Sequence, residues 1–234
     1  MGHTAPQVMY HGARWVRVDL HLHSPGAYSF TFPPGLDASQ RDCVVAEYVK
    51  QLKEQGIEIA AITDYQQIRT EWFVPIREAA IQKGIYVYPG VELDFGAGTG
   101  GKYGLHVLAI FPYDADANRV NRAIDKLLDD KPDEPLVGED GKHRELAPKE
   151  SLVACLRRVG QEAGCLVIFP HPNGSKGLFE SFTSEEAAGI LAEICPEAIE
   201  ELSDKDYQRL RSTGKISDET LARIAGVRFS DNHS

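Results

Sequence analysis

The chain lacks the features that mark membrane and secreted proteins. No apolar run approaches the roughly 20 residues that span a bilayer, and the first six residues, Met-Gly-His-Thr-Ala-Pro, lack the charged-then-apolar layout of a signal peptide. The four cysteines include no C-x-x-C pair, so they favour buried thiols in a reducing compartment over a zinc knuckle or a disulfide frame. They are Cys43, Cys155, Cys165 and Cys195. We therefore expect a cytoplasmic protein with no membrane partner.

Basic charge is also scarce. Lys and Arg number 25 against 35 Asp and Glu, which leaves a formal net charge of -10. Proteins that bind DNA or RNA through phosphate contacts usually present a basic surface. Any contact with nucleic acid should therefore be local. The 234 residues, 42% of them hydrophobic, suffice for the core of one globular domain over 1–234.

Short apolar or β-branched runs alternate with amphipathic stretches, which is the pattern of an α/β chain built from strand-helix units. We expect strands near Trp15–Leu20, Glu58–Thr63, Ile85–Pro89, Leu105–Phe111, Cys165–Phe169, Ala198–Leu202 and Gly226–Ser230. We expect helices over Arg41–Glu54, Glu71–Lys83, Asn118–Leu128, Lys149–Glu162, Ser184–Ile194 and Asp218–Ala225.

One connection breaks this alternation. Only the glycine-rich stretch Gly96–Gly104 separates the strand leading to Glu92 from the strand that opens at His106. A parallel crossover needs a dozen or more residues, so we predict an antiparallel hairpin that places Glu92 and His106 on one rim of the sheet. The segment Asp129–Leu146, with its prolines, glycines and charges, is expected to be an exposed, mobile loop.

Five of the eight histidines follow or open predicted strands. His21 and His23 end the first strand, and alternate residues of an extended chain face the same side, so both imidazoles can reach one metal ion. A bare H-x-H is more often a pair of polar strand-end residues. Here, however, other strands end in further ligand types, which are Asp64, Glu92, His106, His171, Asp231 and His233. Barrel-type α/β folds gather such residues at one mouth. The remaining histidines, His3, His11 and His143, are interpreted as surface residues.

Six motifs in this order resemble those of the PHP superfamily, whose name abbreviates polymerase and histidinol phosphatase. They are Asp19-Leu-His-Leu-His-Ser24, Ile62-Thr-Asp64, Pro89-Gly-Val-Glu-Leu93, Leu105-His-Val-Leu-Ala109, Phe169-Pro-His-Pro172 and Ser230-Asp-Asn-His-Ser234. The resemblance spans nearly the whole chain. It implies a distorted (β/α)7 TIM-like barrel and metal-dependent hydrolysis of phosphoesters. The stretch Gly12–Phe32 is most similar to PHP domains that precede an AAA or SMC-like ATPase.

The resemblance also implies a set of metal ligands. It places His21, His23, Glu92 and Asp231 around one divalent ion, and Glu92 as a bridge to a second ion held by His106 and His171. The ions would be Mn²⁺, Zn²⁺ or Fe²⁺. The family often holds a third ion, but here Ser29 and Tyr65 stand where two of its ligands would be, and only His233 remains. Hydroxyl groups are poor neutral ligands for such an ion, so two ions are expected.

Other residues have candidate roles beside the ligands. His233, Asp64 or Tyr65 could protonate the leaving oxygen, and His233 ranks first because the ordinary pKa of imidazole lies near neutrality. Asp19 and Asp64 could instead orient the ligands beside them. Substrate phosphate needs cations, and the candidates are Lys176, Arg69 and Lys102, each of which could equally be a solvated loop residue. Tyr28 and the phenylalanines that follow it could cover the site or simply pack.

These observations leave several functions open. The first is a two-metal phosphoesterase in which the ions activate water, acting on a phosphodiester such as a nucleic-acid end or nucleotide, or on a small phosphomonoester. The second is a weakened PHP domain that serves as a structural or regulatory module for an ATPase region or a partner subunit. A metal-dependent amidohydrolase uses similar ligands, but no candidate carbamylated lysine follows a strand. Because the sequence stops one residue after His233, we also expect the chain to be the N-terminal part of a longer protein.

Overall fold

The computed structural model describes residues 15–97, 102–127, 134–138, 142–148 and 150–233. The seven strands are β1 (Arg17–Leu22), β2 (Ile57–Ile62), β3 (Tyr86–Phe95), β4 (Leu105–Ile110), β5 (Leu166–Phe169), β6 (Ala198–Glu200) and β7 (Ala225–Val227). A 3-10 turn, Ala38–Gln40, precedes the first helix. The helices are α1 (Arg41–Glu54), α2 (Thr70–Ile81), α3 (Ala117–Leu127), α4 (Leu152–Ala163), α5 (Leu178–Ser181), α6 (Ser184–Ile194), α7 (Asp204–Ser212) and α8 (Asp218–Arg223).

The strands form one sheet in chain order, from β1 to β7. β1, β2 and β3 are parallel to one another, as are β5, β6 and β7, whereas β4 is antiparallel to both of its neighbours. Six strands therefore end on one rim of the sheet, and β4 begins there. The predicted hairpin is confirmed. Its tight return includes Gly104 (φ +85°), where a Cβ atom would lie 2.3 Å from the Phe95 carbonyl oxygen.

The sheet curls until its two ends meet. A single bridge joins Leu22 to Asn232, and the His23 N–H donates to the Asn232 carbonyl at 3.1 Å. Below that point a cavity of about 520 Å³ separates β1 and α1 from the segment after β7. Among the described residues, β1 and β7 do not pair as strands, so the architecture is a curled seven-stranded sheet. The closed barrel stays an expectation.

The core lies between the sheet and its helices. The helix predicted over Arg41–Glu54 is confirmed as α1, and its apolar residues Val44, Val45, Tyr48, Val49 and Leu52 are all buried. Gly56 (φ +69°) follows the end of this helix, in a left-handed conformation that only glycine adopts without strain. α6 begins with a capping box in which Thr183 and Glu186 bond to each other's backbone N–H groups.

Some elements differ from the sequence-based expectations. The α5 and α7 helices were not predicted, although Ser203 and Asp206 form a capping box at the start of α7. β3 continues to Phe95, so Glu92 lies inside this strand rather than at its end. The segment expected to be an exposed loop is partly buried where it is described, since Leu136 and Leu146 are 5% and 1% exposed.

Cys155 and Cys165 are buried as predicted, but Cys43 and Cys195 are exposed, and all four thiols are free. His3 and His11 lie outside the described residues. No helix in the described part of the chain is both long and apolar enough to cross a membrane.

Candidate metal centre

The first ligand group stands at the end of β1. His21 and His23 are completely buried, and their rings project to the same side while Leu22 packs into the core. Asp231 reaches them from the segment after β7. Its Oδ1 lies 3.3 Å from His21 Nε2 and 3.7 Å from His23 Nε2. Ligand atoms of these three side chains lie within 4.8 Å of one another, so the group could hold a metal ion.

The second group joins β3, β4 and the end of β5. It consists of Glu92, His106 and His171, whose ligand atoms also lie within 4.8 Å of one another. The Oε1 atom of Glu92 lies 2.5 Å from His106 Nδ1 and 3.5 Å from His171 Nε2.

Glu92 faces both groups at once. While its Oε1 atom faces the second group, its Oε2 atom lies 3.2 Å from His23 Nε2 and 3.4 Å from His21 Nε2. Each oxygen of this fully buried carboxylate thus serves one group. That is the geometry of a carboxylate that can bridge two ions.

The crowded carboxylates change the pKa of the imidazoles. Burial lowers the pKa of His21, but bonds with Glu200 and Glu92 outweigh it and raise that pKa to about 10. Burial likewise opposes charge on His106, yet Asp94 and Glu92 raise its pKa to about 9. Burial raises the pKa of Glu92, but the surrounding imidazoles hold it well below its usual range. The carboxylates therefore attract positive charge, and a metal ion can replace the protons.

Two observations fit divalent ions. The nitrogens His106 Nδ1 and His171 Nε2 face each other at 3.3 Å, where both lone pairs can point toward one ion. Both ring nitrogens of His23 are buried without a hydrogen bond. Burial of an unpaired polar atom costs free energy, unless the atom coordinates a cation. The donor set of imidazole and carboxylate suits Mn²⁺, Zn²⁺ or Fe²⁺.

Asp19 and Asp64 lie behind these ligands. Asp19 Oδ1 accepts from the backbone N–H groups of His21 and Ser230, at 3.2 and 3.3 Å, and so ties β1 to the segment that carries Asp231. Asp64 accepts from the Ser24 backbone N–H at 2.7 Å and from its hydroxyl at 2.5 Å.

Asp64 is poorly placed to be a proton donor. It is 1% exposed, and its Oδ1 lies 3.8 Å from His23 Nδ1, on the side of the ring away from Glu92. The geometry corresponds to orientation of His23, the second of the two roles considered for Asp64.

The residues at the expected third-ion position meet in space. Ser29 Oγ lies 2.8 Å from His233 Nδ1, and the His233 ring stacks on His23 with centroids 4.0 Å apart. The Tyr65 ring centroid lies 6.4 Å from that of His233. Two side chains that carry hydroxyl groups thus lie near His233. His233 Nε2 lies 3.2 Å from Asp231 Oδ1, so both of its nitrogens have partners.

A rim loop, formed by residues 134–138 and 142–148, lies over one side of the centre. It is held by the parallel bridge between Phe95 and Leu146, and by Gln66 Nε2, which donates to the carbonyls of Asp94 and Arg144 at 2.9 Å each. The loop brings His143 onto Tyr65, with ring centroids 4.3 Å apart. The interpretation of His143 as a surface residue was wrong, because loop folding, which composition does not reveal, carries it to the site.

Lys176 lies at the rim with its charge already paired. Its Nζ atom contacts Asp94 Oδ1 and Glu145 Oε1, each at 2.6 Å. Asp94 also lies 2.9 Å from His143 Nε2 and 3.4 Å from His106 Nε2. Burial would raise the pKa of Asp94, but His106, His143 and Lys176 hold it far below its usual range. A substrate anion would have to compete with two carboxylates for this cation.

The other two candidate cations are placed differently. Arg69 precedes α2, and its positive charge partly opposes the burial that raises the pKa of Asp64. Lys102 Nζ lies 4.5 Å from the centre of the Tyr103 ring, and its backbone N–H bonds to the Ser181 carbonyl. These contacts of Lys102 include no residue of the two ligand groups.

Several residues on this rim have a strained backbone conformation. Four non-glycine residues with positive φ follow the ends of β2, β5, β6 and β7. They are Gln66 (+64°), His171 (+30°), Glu201 (+48°) and Asp231 (+48°). Such conformations cluster at functional sites because the surrounding structure must hold them in place. Two of the four are members of the ligand groups.

Glu200 was missed by the sequence analysis. It is the last residue of β6, is 4% exposed, and contacts both His21 and the backbone of His171. An acidic residue inside the short apolar run Ala198-Ile-Glu-Glu-Leu202 was the available signal.

Comparisons with known proteins bear on the fold. No family model matches the chain, and no curated protein does either. Among solved structures, a proposed metal-dependent phosphoesterase from Bifidobacterium adolescentis superposes with a TM-score of 0.56 at 12% identity, over 94% of this chain and 88% of that chain. An amidohydrolase from Chromobacterium violaceum, with bound sulfate and no metal, gives 0.53 at 13% identity, over 93% and 88%. The chain shares its fold with these two hydrolases.

A third similar structure is Endonuclease Q in complex with a 27-mer duplex that carries an abasic lesion at the active site. The alignment spans 79% of this chain and 42% of the Endonuclease Q chain, with 13% sequence identity and a TM-score of 0.48. That score is too low to support an inference.

Proposed function

We propose that the chain is a metal-dependent phosphoesterase whose centre takes two divalent ions bridged by Glu92. The observation that carries the proposal is the split contact of this carboxylate, with one oxygen toward each ligand group. A pair of ions bridged in this way supplies a nucleophile from water near neutral pH and neutralises charge on a phosphoryl group.

The chain's own residues have distinct tasks in this proposal. His21, His23 and Asp231 would hold one ion, and His106 and His171 would hold the other. Asp19 and Asp64 keep the ligands oriented by bonding to the backbone of His21 and by facing His23 Nδ1. The metal would be Mn²⁺, Zn²⁺ or Fe²⁺, each of which binds imidazole and carboxylate ligands.

A proton for the leaving oxygen would come from His233, with Tyr65 as the alternative. His233 Nε2 faces Asp231 and its Nδ1 faces the Ser29 hydroxyl, an arrangement that can keep a proton on Nε2, next to the centre. Burial and the charges of Glu92 and Asp231 raise the pKa of Tyr65, so its hydroxyl remains protonated. A Tyr65→Phe variant that retains full activity would leave His233 as the donor.

The substrate we favour is a nucleotide or a nucleic-acid end with a phosphodiester bond. The support is an aromatic wall beside the second ligand group, where Tyr28, Tyr65 and His143 lie with ring centroids 4.3 to 6.3 Å apart. These residues line a cavity of about 400 Å³ together with Lys142 and Lys176. Planar bases stack on such rings with little sequence preference. A small phosphomonoester uses the same centre but not this wall.

A regulatory module attached to an ATPase region or partner subunit remains the alternative function. The observation that favours it is Lys176, which two carboxylates already neutralise, so the rim offers less positive charge than a phosphate site usually does. Such a module would bind metal ions without turnover.

The test is hydrolysis of a chromogenic phosphodiester and a chromogenic phosphomonoester by the Mn²⁺- or Zn²⁺-loaded chain. We expect faster cleavage of the diester and loss of both activities in His171→Ala and in Glu92→Gln. Glu219→Gln, an identical change on the surface of α8, is the matched control. Equal rates for the wild type and His171→Ala would refute catalysis at this centre, and metal uptake without any turnover would favour the module.

A further inference from the structure

We propose that Glu200 is a positioning residue that aligns both halves of the metal centre through one carboxylate. The inference rests on the two-ion centre proposed above. Glu200 Oε1 lies 3.1 Å from His21 Nδ1, and Glu200 Oε2 accepts the backbone N–H of His171 at 2.9 Å. His21 belongs to the first ligand group and His171 to the second. One side chain from β6 therefore contacts both groups from behind.

The bond to His21 selects its tautomer. A carboxylate can only accept from Nδ1, so that atom must carry a proton. The free lone pair of the ring then lies on Nε2. This atom is 3.3 Å from Asp231 Oδ1 and 3.4 Å from Glu92 Oε2. A carboxylate behind a ligating imidazole fixes the ring orientation and increases the basicity of the opposite nitrogen.

The bond to His171 holds a strained backbone. His171 has a φ of +30°, which a residue with a side chain rarely adopts. Its N–H is bonded to Glu200, and its carbonyl accepts the Gly174 N–H at 2.7 Å, so both sides of the residue are fixed. This conformation directs the imidazole toward Glu92 and His106. Without the Glu200 acceptor, the conformation loses one of its two restraints.

Only a carboxylate at this position can satisfy both partners. His21 Nδ1–H and His171 N–H are two donors, and Glu200 offers one oxygen to each. Glutamine has nearly the same volume but a single oxygen, so its NH₂ group would face one of the two donors. The Glu200→Gln variant therefore preserves packing, removes the bond to one ligand group and weakens the bond to the other, because a neutral amide oxygen is a poorer acceptor than a carboxylate oxygen.

The experiment measures Zn²⁺ binding to the full chain by calorimetry, comparing wild type with Glu200→Gln. Glu201→Gln is the matched control, because the neighbouring Glu201 is exposed and its side chain contacts only Arg228 among the described ion pairs. We expect affinity for both ions to fall about 10–100-fold in Glu200→Gln, the usual loss when such a supporting partner is removed. Glu201→Gln should match the wild type.

A spectroscopic measurement on the unmodified chain is independent of whether the variant folds. In ¹⁵N NMR spectra of the Zn²⁺-loaded wild type, we expect His21 to carry its proton on Nδ1. An unprotonated Nδ1, unchanged affinities in Glu200→Gln, or a loss confined to one ion would overturn the inference. A wild-type chain that binds no ion would instead refute the metal centre itself, so the two failures are distinguishable.

Discussion

Metal binding should release protons in an amount that the structure lets us calculate. In the metal-free chain, carboxylates raise the pKa of His21 to about 10 and that of His106 to about 9. Both imidazoles are therefore protonated at pH 7.5, and an ion can bind them only after they lose their protons. Burial lowers the pKa of His23, but the nearby carboxylates of Asp231 and Glu92 outweigh it and raise that pKa as well.

The size of this effect follows from the pKa differences. Deprotonation at pH 7.5 costs about 3 kcal/mol for His21 and about 2 kcal/mol for His106, at 1.36 kcal/mol per pKa unit. The sum, about 5 kcal/mol, corresponds to nearly four powers of ten in the combined affinity for two ions. Because each released proton contributes tenfold per pH unit, the product of the two binding constants should rise about 100-fold between pH 7 and pH 8.

The assay is calorimetric titration with Mn²⁺ at pH 7.5 in buffers that differ in ionisation enthalpy. The slope of the observed enthalpy against the buffer enthalpy counts the protons, and we expect about two or slightly more. A Glu201→Gln chain should give the same number. Saturable binding of two ions with no proton release would show that the imidazoles are already neutral, and that the account of their environment is wrong.

Three other predictions concern stability and reactivity. The metal-free chain should be most stable between about pH 5 and pH 6.5, measured as Tm against pH. The raised pKa values of His21 and His106 contribute their full stabilisation below the ordinary imidazole pKa of 6.5, and this stabilisation is lost as the pH rises through about 9 to 10. The lowered pKa values of Glu92 and Asp94 stabilise the chain above the ordinary carboxyl pKa values, and this stabilisation is lost as the solution becomes acidic. A Tm that climbs steadily to pH 10 would contradict this. Iodoacetamide should alkylate the exposed Cys43 and Cys195 in the native chain, whereas Cys155 and Cys165 should react only after denaturation. Burial raises the pKa of both buried thiols, that of Cys165 to about 12. Mass spectrometry of the peptides identifies which cysteines are alkylated. Gly177→Ala should lower the free energy of unfolding in urea by about 1–3 kcal/mol, because the new Cβ would lie 2.3 Å from the His171 carbonyl oxygen. Gly189→Ala is the control, because a Cβ at that position has no neighbouring atom within 4 Å.

The sequence was most informative where strand ends define the chemistry. His21, His23, His106 and His171 follow or open apolar strands, and that position alone predicts that they share a rim. Glu92 was found for the same reason, even though its strand proved longer than predicted. The β3–β4 hairpin was predictable because nine residues cannot form a crossover.

What remained hidden depends on register and on loop folding. Glu200 meets His21 only because β6 is next to the last strand of a sheet that curls back on β1, and the two residues are 179 positions apart in the sequence. His143 reaches Tyr65 because the rim loop folds back along the end of β3, although its composition is that of a solvated loop. Lys176 was a candidate cation for the substrate phosphate, and its pairing with Asp94 and Glu145 depends on the same folding.

The meeting of the two sheet ends gives the proposed first ion a mechanical role. Its ligands His21 and Asp231 are 210 positions apart (231 − 21), and beside them the ends are joined by one bridge and a few hydrogen bonds. An ion held by both residues would be a cross-link that closes almost the entire chain into a loop, and links across long loops restrict the unfolded chain most. Loading with metal should therefore slow amide exchange at Leu22, His23 and Asn232 more than in the distant α7 helix. The ion would then hold together the two ends of the sheet on which its own ligands stand.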